Sequence, residues 1–128
     1  MRILVDTHTL VWATIAPQLL SREAATLISD RATTVCVSAA SAWEIATKVR
    51  RGKFPEARIL EKQFLETMET AGYVLLSIDA PLALRAARLP GEHRDPFDRI
   101  IAAHAIAEDI PVISADRKLE EFGVRRIW

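Results

Sequence analysis

Short, unbroken apolar runs alternate with helix-patterned segments along the chain. Ile3-Leu4-Val5, Val35-Cys36-Val37, Tyr73-Val74-Leu75-Leu76 and Val112-Ile113 are continuous runs, without polar alternation. That is the signature of strands buried on both faces, as in a parallel sheet. The intervening segments carry helix punctuation. Ser21 predicts the N-cap of a helix running to about residue 30, and Ser38 caps one running to about Arg51, with Gly52 as its stop. Pro55 predicts the start of a helix that ends near Ala71-Gly72, and Asp79 caps a helix over 80–88. Asp95-Pro96, a cap followed by proline at the first helical position, opens a helix to about Glu108. Strands are expected at 2–6, 34–37, 73–77, 111–114 and 124–127, with short helices near 9–15 and over 117–121. The pattern therefore predicts an α/β fold with a parallel sheet covered on both faces. In the helix from 96 to 108, Ile100, Ile101, Ala102, Ala103, Ala105, Ile106 and Ala107 leave almost no polar face, which predicts a central, buried helix.

The chain has 128 residues, a length that predicts one domain. Its 17 basic and 17 acidic residues balance, which argues against a uniformly basic nucleic-acid-binding surface while leaving room for a local basic patch. The single cysteine, Cys36, lies in a predicted buried strand and has no partner for an internal disulfide. The first strand begins at once and Asp6 interrupts it, so no secretory leader is expected. No apolar run approaches the roughly 18 residues of a membrane span. These features predict a protein of the reducing cytoplasm, with no membrane association.

Four acids fall where such a sheet would gather them. Asp6 closes the first apolar run, Glu44 lies about one and a half turns into the helix after the second, Asp98 is in the first turn of the helix from 96, and Asp116 follows Val112-Ile113. In open α/β sheets, ligands bind at the carboxyl ends of the strands, near the reversal of strand order. Each acid also has a purely structural reading. Asp6 and Asp116 are suited to capping, Asp98 gains about 0.3–1 kcal/mol from the helix dipole, and Glu44 paired with Lys48 gains about 0.2–0.5 kcal/mol. None of these explains why all four point to one end of the sheet. Carboxylates about 5 Å apart repel by roughly 3 kcal/mol per pair at an effective dielectric near 20, so they need a cation or protonation. All-oxygen ligands favour Mg²⁺, with Mn²⁺ able to substitute. Zinc is disfavoured, because His8, His93 and His104 are scattered and show no ligand spacing. Each of the three reads first as a packing or surface histidine, and His8, beside Asp6, is retained as a substrate contact. Thr7, Ser38 and Ser114, at strand ends, and Asp95 are candidate accessory residues, although each also suits a cap or turn.

Taken together, these segments resemble the PIN-domain family, and within it the VapC-like toxins of prokaryotic toxin–antitoxin pairs. ILVDTHTLVW (3–12) resembles the opening strand with the first acid. SAASAWEIATKVRRGK (38–53) resembles the segment with the second, and HRDPFDRIIAAHAIAEDIPVISAD (93–116) the segment with the third and fourth. The resemblance covers essentially the whole chain. It implies a PIN-like three-layer α/β/α sandwich with a five-stranded parallel sheet in the order 3-2-1-4-5. It further implies a Mg²⁺ site formed by Asp6, Glu44, Asp98 and Asp116, endoribonuclease activity, a small cognate antitoxin and a toxin homodimer.

The chemistry expected is hydrolysis of RNA phosphodiesters by metal-activated water, which requires no nucleophilic side chain; no convincing Ser/His or Cys/His arrangement is present. Lys48, Arg50, Arg51 and Lys53 form a basic run suited to RNA or to the end of a helix dipole. Arg94 and Arg99 suit either a phosphate or the acids beside them. Trp12, Leu19, Leu20 and Trp43 either line an apolar groove for an antitoxin or belong to the core. Two other readings compete. A non-catalytic PIN-like scaffold would bind RNA or protein without cutting. A phosphatase of HAD type requires a second acid two residues after Asp6, where this chain has His8, and a phosphoreceiver domain requires an adjacent acidic pair that is also missing.

Overall fold

The computed structural model describes every residue from Met1 to Trp128. Its strands are β1 (Arg2–Val5), β2 (Thr34–Ser38), β3 (Val74–Leu76), β4 (Val112–Ile113) and β5 (Arg126–Ile127). Its helices are α1 (Thr7–Ile15), α2 (Arg22–Ser29), α3 (Ala39–Arg50), α4 (Arg58–Lys62), α5 (Phe64–Ala71), α6 (Ala80–Ala87) and α7 (Pro96–Glu108). Short 3₁₀ turns cover Pro17–Leu19, Pro55–Ala57 and Arg117–Phe122.

All strand pairs are parallel, and the order is β3-β2-β1-β4-β5, as expected. Leu4 lies opposite Cys36 on one side and Val112 on the other, and Val5 lies between Val37 and Ile113. The twofold periodicity of a strand sends successive side chains to opposite faces. Ile3, Val5, Val35, Val37 and Ile113 pack with Leu10 and Val11 of α1, Ile45 of α3, and Phe64 and Met68 of α5. Leu4, Cys36 and Val112 pack on the other face with Ile101, Ala102 and Ala105 of α7, and with Leu119 and Phe122. This double coverage explains why the strand runs are apolar throughout. The expected burial of α7 is met from Ile101 to Ala105, and Ala103 supports a smaller contact with Leu82 and Ala86 of α6.

β4 and β5 are shorter than the 111–114 and 124–127 expected, pairing only over Val112–Ile113 and Arg126–Ile127, and three further elements differ from expectation. The helix over 55–71 is divided: Gln63, at φ −111° and ψ 26°, separates α4 from α5. Hydrogen bonding runs through the break, from the Gln63 N–H to the Ile59 carbonyl and from the Thr67 N–H to the Gln63 carbonyl. The chain therefore bends while Leu60, Phe64 and Met68 stay in the core. β3 is shorter than expected and half-open, with Val74 41% and Leu75 40% exposed, because it is an edge strand. The first helix starts at Thr7 rather than near residue 9, because Asp6 accepts the Thr9 N–H and caps it. No helix is long and apolar enough to cross a membrane.

Ile101 is fully buried, whereas Leu84 is 52% exposed. Ile101→Ala is expected to destabilise the fold by about 2–5 kcal/mol, and Leu84→Ala to stay within about 0.5 kcal/mol of wild type. Equilibrium denaturation in urea measures both.

Candidate active site

The strand order reverses between β1 and β4, and their carboxyl ends are joined by polar contacts. The Asp6 N–H donates to the Ile113 carbonyl (3.2 Å), Thr9 Oγ1 donates to the same carbonyl (2.9 Å), and Ser114 Oγ donates to Asp6 Oδ2. Above this seam opens a cleft of about 420 Å³, lined by Asp6, Thr7, His8, Trp12, Glu44, Lys48, His93, Asp95, Asp98, Ala115, Asp116 and Lys118. All four sequence-predicted acids reach it, together with Asp95, so its lining is mainly charged.

Each acid is held by donors from the protein. Asp6 is buried; Oδ1 accepts the Thr9 N–H (2.9 Å) and Oδ2 the Ser114 hydroxyl. Capping and cleft-lining are thus one arrangement for Asp6, not alternatives. Glu44 is also buried; Oε1 accepts Thr7 Oγ1 (2.6 Å), which itself contacts Ser41 Oγ (3.0 Å), and Oε2 accepts Lys48 Nζ (2.5 Å). Asp98 is half-buried, with Oδ2 2.7 Å from His93 Nε2. Asp116 is exposed and caps its 3₁₀ turn through the Lys118 N–H (3.0 Å), while its own N–H donates to Ser114 Oγ (3.0 Å). Asp95 caps α7 by accepting the N–H groups of Phe97 and Asp98.

Burial pushes the Asp6 carboxyl above its ordinary range, against the opposing hydrogen bonds from Ser114 and Thr9. Asp98 is raised from 3.8 to about 6, chiefly by burial. The His93 hydrogen bond opposes that shift, and the charges of Asp95, Glu44 and Asp6 add to it. Two raised carboxyls, Asp6 and Asp98, in a cleft where the four acids offer only oxygen, fit a hard divalent cation.

The other candidates divide. Thr7 and Ser114 orient Glu44 and Asp6 as described. Ser38 lies outside the cleft, where its hydroxyl accepts the Ala40 N–H and contacts Nδ1 of buried His104 (3.0 Å). His104 Nε2 bonds to the Ser77 carbonyl (3.0 Å), so this histidine ties α7 to the ends of β2 and β3. Of the basic run, Lys48 lines the cleft, whereas Arg50 borders a separate groove with Arg58 and Lys62; Arg51 and Lys53 are exposed. Arg94 is exposed, but the Arg99 guanidinium is occupied by four backbone carbonyls, those of Ala86, Leu89, Gly91 and His93. Trp12 is half-buried between His8 and Trp128, and Leu20 packs against the core. Leu19 and Trp43 are exposed, and Trp43 sits edge-on to Phe97 at 4.7 Å. Sequence reasoning underrated His93, whose only local cue is its place just before the Asp95 cap. Lys118 of the lining was also missed, because nothing in the sequence distinguishes it from a surface lysine.

An acid cleft at the switch point of a fully parallel, doubly covered sheet defines the class. The sequence model of the PIN domain matches residues 3–124, and the chain belongs to the PIN-domain family. Among solved structures, VapBC2 from Rickettsia felis bound to a promoter DNA fragment is similar at 16% identity and TM-score 0.69, over 100% of this chain and 99% of that one. FitAB bound to an IR36 DNA fragment is similar at 23% identity and TM-score 0.70, over 98% and 93% of the two chains. FitAcB from Neisseria gonorrhoeae is similar at 19% identity and TM-score 0.65, over 98% and 96%. These likenesses establish a shared fold. Comparison with curated proteins finds no match.

The raised carboxyls give a pH test. Between the ordinary value of 3.8 and the Asp98 value of about 6, the folded protein binds more protons than the unfolded chain. Stability of the metal-free protein therefore falls as pH rises through that window, with a slope of at most about 1.4 kcal/mol per pH unit for one group. In EDTA, Asp98→Asn is expected to melt above wild type at pH 7.5, with the gap closing as pH falls towards 4. A gap of equal size at both pH values would contradict the Asp98 shift.

Proposed function

We propose that this protein is a Mg²⁺-dependent endoribonuclease, the toxin of a prokaryotic toxin–antitoxin pair acting in the cytoplasm. The observation that carries the reading is the convergence of Asp6, Glu44, Asp98 and Asp116 on one cleft. Membership of the PIN-domain family supports it. The acids are the residues that would hold the ion, with Asp6 and Asp98 as principal ligands and Mn²⁺ as a substitute. A bound divalent ion supplies charge neutralisation and activates water for in-line attack on phosphorus.

The chain's own groups prepare that chemistry. Ser114 and the Thr9 N–H fix Asp6, and Thr7 and Lys48 fix Glu44. Fixed carboxylates need little reorganisation when charge develops on the phosphate. Lys48, Lys118 and His8, at the cleft wall, are placed to meet phosphate oxygens, and the exposed Arg50, Arg51, Lys53 and Arg94 extend the cationic surface. Attack of water breaks the bond from phosphorus to the 3′ oxygen, leaving a 5′-phosphate and a 3′-hydroxyl.

VapBC2 and FitAB are complexes. For this chain we assign a small antitoxin as partner, with exposed Trp43 and Leu19 as its apolar contacts, and a homodimer as the assembly.

The test is cleavage of total cellular RNA by the purified protein with Mg²⁺ or EDTA, beside Asp6→Asn. Expected are Mg²⁺-dependent cuts with 5′-phosphate ends, reduced at least about 100-fold in the variant, as loss of about 3 kcal/mol of transition-state stabilisation predicts. Cleavage that survives EDTA, or an equally active Asp6→Asn, would overturn the reading. Metal binding without cleavage would point to an absent substrate or a retained antitoxin, and neither cleavage nor metal binding would favour a scaffold.

A further inference from the structure

His93 lies in the connection between α6 and α7, outside any helix or strand, yet its ring is closely held. Arg99 is the reason. Its Nε donates to the His93 carbonyl (2.8 Å), while Nη1 bonds the carbonyls of Ala86 (3.2 Å) and Leu89 (2.9 Å), and Nη2 that of Gly91 (2.8 Å). One guanidinium thus gathers the whole connection into a fixed arc. Gly91 adopts φ +91°, which allows the chain to turn inward there. Buried Phe122 packs against both the His93 ring (5.6 Å between centroids) and the Arg99 guanidinium (5.3 Å).

These contacts close a circuit. Asp98 and Arg99 are neighbours on α7, Arg99 holds the His93 backbone, and the His93 ring returns to Asp98 Oδ2 at 2.7 Å. Asp98 Oδ2 is thereby engaged, whereas Oδ1 has no hydrogen-bond partner in the protein. We propose that His93 is a positioning residue of the acid cleft: its Nε2–H orients Asp98 and leaves Oδ1 free to ligate a divalent cation. The inference rests on the nuclease reading and adds to it a residue outside the four acids. His93, Asp98 and Asp116 also offer atoms within 4.8 Å of one another, so direct ligation by the imidazole is the competing arrangement. A ring nitrogen donating to Asp98 cannot ligate at the same time, and the 2.7 Å contact favours the donor.

The experiment measures Mn²⁺ affinity by electron paramagnetic resonance, with thermal melting in EDTA as the check on folding. His93→Phe keeps a ring against Phe122 and removes the donor; His93→Asn has an amide too short to replace Nε2; His93→Gln restores an N–H near that place. Loss of the donor is expected to weaken Mn²⁺ binding about 10- to 100-fold in His93→Phe and His93→Asn, with most of the affinity recovered in His93→Gln. Wild-type affinity in a folded His93→Phe or His93→Asn, with binding still lost in Asp98→Asn, would overturn the positioning role alone. No Mn²⁺ binding by wild type would overturn both this role and the nuclease reading. A hyperfine coupling from ¹⁵N-labelled imidazole bound directly to Mn²⁺ would replace the positioning role with ligation.

Discussion

Like charges must be kept together in this cleft although they repel, and much of the local structure answers that constraint. Asp6 receives donors from Thr9 and Ser114, Glu44 from Thr7 and Lys48, Asp98 from His93, and Asp116 from the Lys118 backbone. Most of these donors are neutral hydroxyls and amides. They fix where the carboxylates stand, and only Lys48, at Glu44, brings an ammonium to the set. The upward displacement of Asp6 comes from burial alone, and that of Asp98 chiefly from burial, with the charges of Asp95, Glu44 and Asp6 adding to it.

The sheet makes the arrangement feasible. Parallel strands end on one side, and the reversal between β1 and β4 leaves a gap there that neither neighbouring crossover fills. The apolar faces below anchor the strand ends: Leu4 and Val112 against α7, Val5 and Ile113 against α1 and α3. Stiffness in this core is transmitted directly to Asp6 and Ser114, each one residue beyond a strand. α7 contributes from its other end, since its N-terminal turn carries Asp98 and its buried alanines set its distance from the sheet.

The sequence made legible what depends on neighbours along the chain. Continuous runs such as Val35-Cys36-Val37 marked doubly buried strands, and Ser21, Asp79 and Asp95-Pro96 marked helix starts. The convergence of Asp6, Glu44, Asp98 and Asp116 was legible from strand ends for Asp6 and Asp116 and from the N-terminal turns of helices for Glu44 and Asp98. What escaped depends on contacts between distant segments or on exposure. The half-open state of β3 follows from its edge position, which no local run encodes. Ser38 read as a candidate cleft residue, but it meets His104, 66 positions away. Arg99 had two plausible partners, acid and phosphate, and takes neither, because the preceding connection turns its carbonyls towards it. His93 looked ordinary for the same reason: its role exists only once that connection is folded.

The bond between Ser114 and Asp6 joins residues 108 positions apart. A polypeptide growing on the ribosome makes Asp6 first, but the seam that holds it, and two of the four acids, come only after most of the chain has been made. Unfinished copies and truncation products that stop short of β4 therefore lack the assembled centre. Within one chain, the acid cleft is completed late in synthesis, when the central strand finally gains its second neighbour.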